Sequence, residues 1–214
     1  MKIGILGTGD VGKVLGKGLI ELGHQVKIGS RDPKKVQDWV QSNGKNASAG
    51  AFAEAAEFGE LIVLAVAWSG CKNAISQAQL NNFAGKVVLD ATNPLVFEAQ
   101  GAPPRLALGH TDSGGEQVQR WLPGAHVVKA FNSVGNLHMV KPDFSDGPPD
   151  MFICGNDDSA KKTVRELSQS LGWSVIDLGD ITSSRLLEPL AMIWIVHLFR
   201  NNFNPNHAFK LLKK

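Results

Sequence analysis

Lys2-Ile3-Gly4-Ile5-Leu6-Gly7-Thr8-Gly9-Asp10-Val11-Gly12 is the stretch that decides the fold. Lys2 to Leu6 reads as a buried strand. It runs directly into the glycine loop, and an amphipathic helix follows through Val14, Leu15, Leu19 and Leu22. Gly23 and His24 close that helix. A second strand, Gln25-Val26-Lys27-Ile28, ends in Gly29-Ser30-Arg31. Strand, glycine loop, helix, strand is the unit that cradles a dinucleotide.

Each loop glycine has its own reason. Gly7 permits the tight turn out of the strand, Gly9 lets the backbone approach a pyrophosphate, and Gly12 lets the helix pack closely on the strand. The helix N-terminus then offers free N–H groups and a positive dipole end to the anion. At the end of the second strand an NAD site carries Asp or Glu for the ribose 2′-hydroxyl. This chain has Ser30 and Arg31 instead, with Thr8 in the loop and Lys35 one helical turn further on. Ser30 can donate to a 2′-phosphate, and Arg31 can pair with it and stack on the adenine, so NADP is the expected cofactor.

Working outward, the next elements alternate strand and helix. Helices are expected at 33–42, 52–58, 71–82, 114–121 and 158–171. Strands are expected at 60–66, 86–90, 126–131, 151–155 and 174–179. Glu60-Leu61-Ile62-Val63-Leu64-Ala65-Val66 is a continuous apolar run, suited to a central parallel strand covered on both faces. Residues 43–50, 93–112 and 132–150 read as loops. The last two are rich in Pro and Gly and are expected near the ligand. A long apolar helix, about 183–200, comes last, with Phe203, Phe209, Leu211 and Leu212 in the tail. The pattern predicts an α/β, Rossmann-type, doubly wound and mostly parallel sheet of seven or eight strands with a C-terminal helical cap. No linker divides the chain. One domain over 1–214 is expected, whose part from about 150 extends and caps the sheet.

Composition excludes several classes. The 214 residues are 43% apolar with a formal charge of +2, which gives no argument for nucleic acid or a membrane surface. No apolar run spans a bilayer, and a strand at the N-terminus leaves no room for a signal peptide. Cys71 and Cys154 fit no metal spacing and read as reduced, buried thiols of a cytoplasmic protein; the six histidines form no ligand pair. Tyrosine is absent, which rules out the Tyr-x-x-x-Lys chemistry of short-chain dehydrogenases.

Ligands of open α/β sheets lie beyond the carboxyl ends of the strands. Those ends carry Gly7-Thr8-Gly9, Ser30-Arg31, Ala65-Val66-Ala67-Trp68, Ala91-Thr92-Asn93-Pro94 and Phe131-Asn132-Ser133-Val134. Trp68 reads either as a pocket wall or as a helix-start anchor. Proton donors are scarce. Lys129 and Asn132 form a Lys-x-x-Asn pair, but their spacing on a strand is expected to send them to opposite faces, so Lys129 reads as structural. His138 lies in a loop. No catalytic side chain is singled out. Such a crevice suits hydride passing directly between stacked rings, where orientation and exclusion of water matter most.

These motifs resemble the NADPH-dependent reductases of the deazaflavin coenzyme F420. The resemblance runs over nearly the whole length. It includes the glycine loop, Gly29-Ser30-Arg31, Ala65-Val66-Ala67-Trp68, Asp90-Ala91-Thr92-Asn93-Pro94 and Val128-Lys129-Ala130-Phe131-Asn132. It also covers Ile153-Cys154-Gly155-Asn156-Asp157-Asp158 and Ser183-Ser184-Arg185-Leu186-Leu187-Glu188. The cytosolic reductase domain of the six-transmembrane metalloreductases is similar too. The resemblance implies NADP contacts at Thr8, Gly9, Asp10, Val11, Ser30, Arg31, Lys35, Ala67 and Ala130. It implies hydride exchange between NADP(H) and a deazaflavin (F420) or flavin acting as second substrate. Two rivals stand beside it: reduction of a small carbonyl or imine through His138 or Lys129, and a non-catalytic sensor of NADPH. The apolar C-terminal helix is expected to pair in a homodimer, or else to pack on its own sheet.

Overall fold

The computed structural model describes residues 1–212; Lys213 and Lys214, the end of the expected domain, lie outside the described residues. In chain order the elements begin β1 (Lys2–Leu6), α1 (Asp10–Glu21), β2 (Gln25–Gly29), α2 (Gln37–Asn43), β3 (Ala47–Gly50), α3 (Phe52–Phe58), β4 (Leu61–Leu64) and α4 (Trp68–Gln77). There follow β5 (Val87–Asp90), β6 (Leu95–Val96), β7 (Arg105–Leu106), α5 (Gly114–Trp121), β8 (His126–Lys129), β9 (Asp150–Gly155), α6 (Asp158–Ser170), β10 (Ser174–Asp177) and α7 (Ser184–Arg200).

Eight strands form one sheet in the order β10-β9-β8-β5-β4-β1-β2-β3. All neighbours are parallel except β8 and β9, which run antiparallel. The strand order reverses between β1 and β4, the switch point where open α/β sheets hold ligands.

The alternation of β1 explains the two layers. Ile3 and Ile5 join a core with Leu15 and Leu19 of α1 and Val164 of α6. Leu6 joins the opposite core with Ala55 of α3, Ile75 of α4 and Leu187 of α7. Gly4 lies between them because α3 crosses directly over it: a Cβ there would sit 2.1 Å from the Ala55 carbonyl oxygen. Helix α1 ends as its sequence predicts. Gly23 is left-handed (φ 87°), its N–H returns to the Ile20 carbonyl and that of His24 to Leu19, closing a Schellman turn.

Three differences from the sequence expectation stand out. The segment read as a polar loop contains β3, an edge strand of Ala, Ser and Gly with no β-branched or aromatic residue to signal it. The segment 93–112 contains the hairpin β6/β7. The expected helix over 33–42 is split, with a 3-10 turn at Pro33–Val36 before α2. Helix α7 buries one stripe, Leu187, Ala191 and Trp194, and leaves Leu186 (67% exposed) and Ile193 (60%) outward. The tail folds back on the body, where Trp194 Nε1 donates to His207 O and Leu211 N to the Asp150 carboxylate.

Gly4→Ala should lower stability by about 1–3 kcal/mol through overpacking against α3. Urea unfolding at equilibrium measures it.

Candidate functional site

The crevice is built by the order of the strand tips. Pairing continues past the strands themselves: Gly7 N donates to Gly29 O (3.2 Å), Ala65 N to Leu6 O (2.9 Å), Ala91 N to Leu64 O (3.1 Å) and Ala130 N to Asp90 O (3.1 Å). The tips of β2, β1, β4, β5 and β8 therefore stand side by side along one edge.

Over β1, β2 and β4 this edge opens into a cleft of about 920 Å³. Of the residues expected at the site, Gly7, Thr8, Gly9, Ser30, Arg31, Lys35, Ala65, Val66 and Ala67 line it. Two helices start on it, α1 after Gly9 and α4 after Ala67, and neither has a side-chain cap. Their first N–H groups are thus left for a ligand, and the helix dipoles favour an anion there.

The three loop glycines are now distinguishable. Gly7 has φ 130°, and a Cβ on it would meet the Ala65 carbonyl oxygen at 2.1 Å. A Cβ on Gly12 would meet the Gly7 carbonyl oxygen at 2.5 Å. Both are required by the fold. A Cβ on Gly9 meets nothing within 4 Å. The protein itself does not need glycine at 9, but a phosphate lying against that backbone does, so the cradle fits a dinucleotide.

At the β2 end Arg31 and Lys35 are exposed, and neither forms an ion pair among the described residues. Both guanidinium and ammonium are free for a 2′-phosphate. Asp32 also lines the cleft, but its carboxylate caps the following turn by accepting from Lys34 N (3.2 Å). The Ser30 hydroxyl is engaged within its own loop. It accepts from Asp32 N and donates to Asp32 O, both at 3.0 Å, so donation to a ligand requires it to rotate.

The other expected residues lie elsewhere. Asp10 is exposed in the first turn of α1, and Val11 packs towards the core. Trp68, one of whose readings was a pocket wall, is a helix-start anchor. Its ring stacks on Trp121, with centroids 5.4 Å apart, and is not part of the cleft lining. Ala130 and Phe131 are buried, 0% and 1% exposed, so their side chains back the crevice rather than face it. The cause is Phe131. Its φ of 59° turns the chain out of the strand and sends the ring edge-on to Trp173, 6.1 Å between centroids.

The same turn corrects the expectation for Lys129 and Asn132. Strand alternation ends at Lys129, and both side chains reach α7: Lys129 Nζ lies 3.1 Å from Glu188 Oε1, and Asn132 Nδ2 donates to Leu187 O at 2.9 Å. Lys129 is wholly buried. Its ammonium also contacts Asp90 Oδ2 (2.9 Å) and donates to Thr92 O (2.7 Å). Burial alone would lower its pKa, but the Asp90 and Glu188 carboxylates outweigh this and hold it above the usual lysine value. Asn93 and Asn132 brace each other, Asn93 Nδ2 to Asn132 O (2.7 Å) and Asn132 Nδ2 to Asn93 Oδ1 (3.0 Å). His138 is not among the residues that line the cleft; it is bonded to Asn206 Oδ1 and packed on Phe144.

One face of α4 was missed. Ser69, Gly70, Asn73 and Ala74 line the cleft, together with Phe52. Their spacing of one, four and five puts them on one helical face. A small and polar stripe on a helix leaving a central strand was the available signal. The cysteines are free and buried. Burial raises both thiol pKa values, that of Cys154 to about 11 although Ser184 hydrogen-bonds it, so neither is a nucleophile at neutral pH. Among the described residues no cluster of three metal-ligating side chains occurs.

Gly9→Ala should leave the unfolding midpoint unchanged and weaken NADP+ at least about tenfold by calorimetry, whereas Gly7→Ala should destabilise the fold itself. Lys129→Met, which strands two buried carboxylates, should cost about 3–5 kcal/mol in urea unfolding.

Comparison with known proteins agrees with this geometry. Residues 2–94 match the family model for coenzyme F420-dependent NADP oxidoreductases. The F420-dependent NADP reductase of Methanocaldococcus jannaschii is 32% identical over 208 residues, covering 91% of each chain. Metalloreductase STEAP3 of Rattus norvegicus is 31% identical over 191 residues, 89% of this chain but 36% of the relative, so the chain spans about a third of that protein's length. A crystal structure from Arthrobacter sp. FB24, ascribed to the F420-dependent NADP reductases, superposes with a TM-score of 0.93 at 40% identity over the whole of both chains. Imine reductases of 15–17% identity share the fold alone, with TM-scores of 0.67–0.68. The chain belongs to the F420-dependent NADP reductase family and is an NADP-dependent oxidoreductase.

Proposed function

We propose that the protein passes hydride directly between NADP(H) and a flavin-like ring, a deazaflavin such as F420 being the preferred second substrate. One observation carries this reading: Lys129 and His138, the two candidate proton donors to a carbonyl or imine read from the sequence, are both withheld. Lys129 is locked between two carboxylates with no exposed surface, and His138 is tied to Asn206 outside the cleft. Reduction of a ketone needs a positioned acid. Ring-to-ring transfer needs alignment and dryness. NADPH, when bound, supplies the hydride. The chain's own part is to grip and orient it. Arg31 and Lys35 hold the 2′-phosphate, and the uncapped starts of α1 and α4 face the pyrophosphate. The small side chains of Ala65 and Ala67 leave room for a flat ring beside the strand tips. The likeness to the Methanocaldococcus F420-dependent NADP reductase supports a deazaflavin acceptor.

The outward Leu186 and Ile193 stripe of α7 is proposed to pair with the same stripe of a second copy, an isologous contact. Among the described residues no helix is long and apolar enough to cross a membrane. Two buried, unpaired cysteines accord with a reducing compartment such as the cytoplasm.

NADPH oxidation followed in parallel with deazaflavin, FMN, FAD, ferric chelates and simple ketones or imines tests the reading. Turnover is expected with the deazaflavin or flavins; turnover confined to ketones or imines, or tight binding without any oxidation, refutes it. Arg31→Ala should raise the NADPH Kd about tenfold or more and leave that of NADH nearly unchanged. In solution the wild type should have twice the chain mass, and Ile193→Asp should be monomeric.

A further inference from the structure

The half of the crevice beyond the cleft has an unusual backing. With the 2′-phosphate held at β2, a dinucleotide extends across the switch point towards β4, β5 and β8. At those tips stands Asn93, half-buried, with one amide hydrogen on Asn132 O and the other without a partner among the described residues. Both Asn132 amide hydrogens are committed, to Asn93 Oδ1 and to Leu187 O.

Behind Asn93 lies the buried charge cluster. Lys129 Nζ holds the Thr92 carbonyl, the atom that precedes Asn93 in the chain. Asp90 accepts from both Thr92 N (2.9 Å) and Thr92 Oγ1 (2.7 Å). Glu188 accepts from Gly114 N and Gly115 N, each at 3.0 Å, so α5 and α7 are tied to the same point. A buried ion cluster is poor value as a stabiliser, since well-packed apolar residues often do as well or better. What it provides is direction. Three fixed partners allow the ammonium one position, and the β5 tip takes its position from the ammonium.

We propose that Lys129 is a positioning residue for the nicotinamide half of NADP(H): through the Thr92 carbonyl it sets Asn93, whose free amide hydrogen is the donor to that half. The inference rests on the NADP reading above. Lys129 itself touches no ligand.

The test is calorimetric and needs no turnover. NADP+ is compared with 2′-phospho-ADP, which keeps the adenylyl half and lacks the nicotinamide nucleoside. The variants are Asn93→Ala and the double change Lys129→Met with Glu188→Gln, which removes one buried charge of each sign. In both, the NADP+ Kd should rise about tenfold while that of 2′-phospho-ADP stays within about twofold. A merely structural role would weaken both ligands alike or neither, and either result overturns the proposal. Should the double variant fail to fold, Glu188→Gln alone, which loosens one of the three partners that fix the ammonium, takes its place in the same comparison. A wild type that binds neither ligand overturns the NADP reading itself, and this inference with it.

Discussion

The turn at Gly7 presses against the tip of β4 so closely that the Ala65 carbonyl oxygen occupies the place a Cβ would need. Only glycine allows that approach, and at φ 130° only glycine adopts the conformation comfortably. Much follows from this one contact. It seats the loop at the paired tips of β1 and β4, so that α1 and α4 both begin on the cleft with their N–H groups uncapped. It leaves Gly9 facing open space, which a pyrophosphate can fill. Arg31 and Lys35 then project over one end of that space from β2 and the turn after it.

The far end of the crevice is organised differently, by charge rather than by close backbone packing. Lys129, Asp90 and Glu188 form a sealed cluster in which every member also holds backbone: Thr92 O, Thr92 N, and the first N–H groups of α5. Arg185, three residues before Glu188, pairs with Glu116 of α5 and holds its carboxyl below the usual range. The motif Ser183-Ser184-Arg185-Leu186-Leu187-Glu188 is thereby explained as a docking segment. Ser184 meets Cys154, Arg185 meets Glu116, Leu187 enters the core and Glu188 reaches Lys129. Asn156, in the other motif outside the nucleotide unit, receives Ile181 N just before this segment. The two motifs are one interface seen from its two sides.

Legibility in the sequence followed locality. Helix α1, its closing glycine, helix α3, the buried run of β4 and the alternation of strand and helix could all be read, because each depends on periodicity or a turn within a few residues. Strand β3 could not, because its Ala-Ser-Ala-Gly pattern is made strand-like by its neighbour β2 and not by its own propensity. In the site, the glycine loop and the Ser30-Arg31 end were legible for the same local reason. The α4 face left only a small and polar stripe as its signal, and the packing of the helix on the cleft is what gives that stripe a role.

By itself the sequence determined the parallel α/β scaffold, the glycine loop that lines the cleft and the cationic residues at its β2 end. These rest on backbone freedom, burial and charge within short spans. The tertiary structure alone decided which way the residues at the end of β8 point. A left-handed Phe131, held by Trp173 and Met151, breaks the alternation that strand spacing assumes, and turns Lys129 and Asn132 to the same helix. Whether a lysine is an acid at a reacting atom or the pivot of a buried ion cluster depends on Asp90 and Glu188, 39 residues before it and 59 after. No local rule carries information over that distance; only packing brings the charges together.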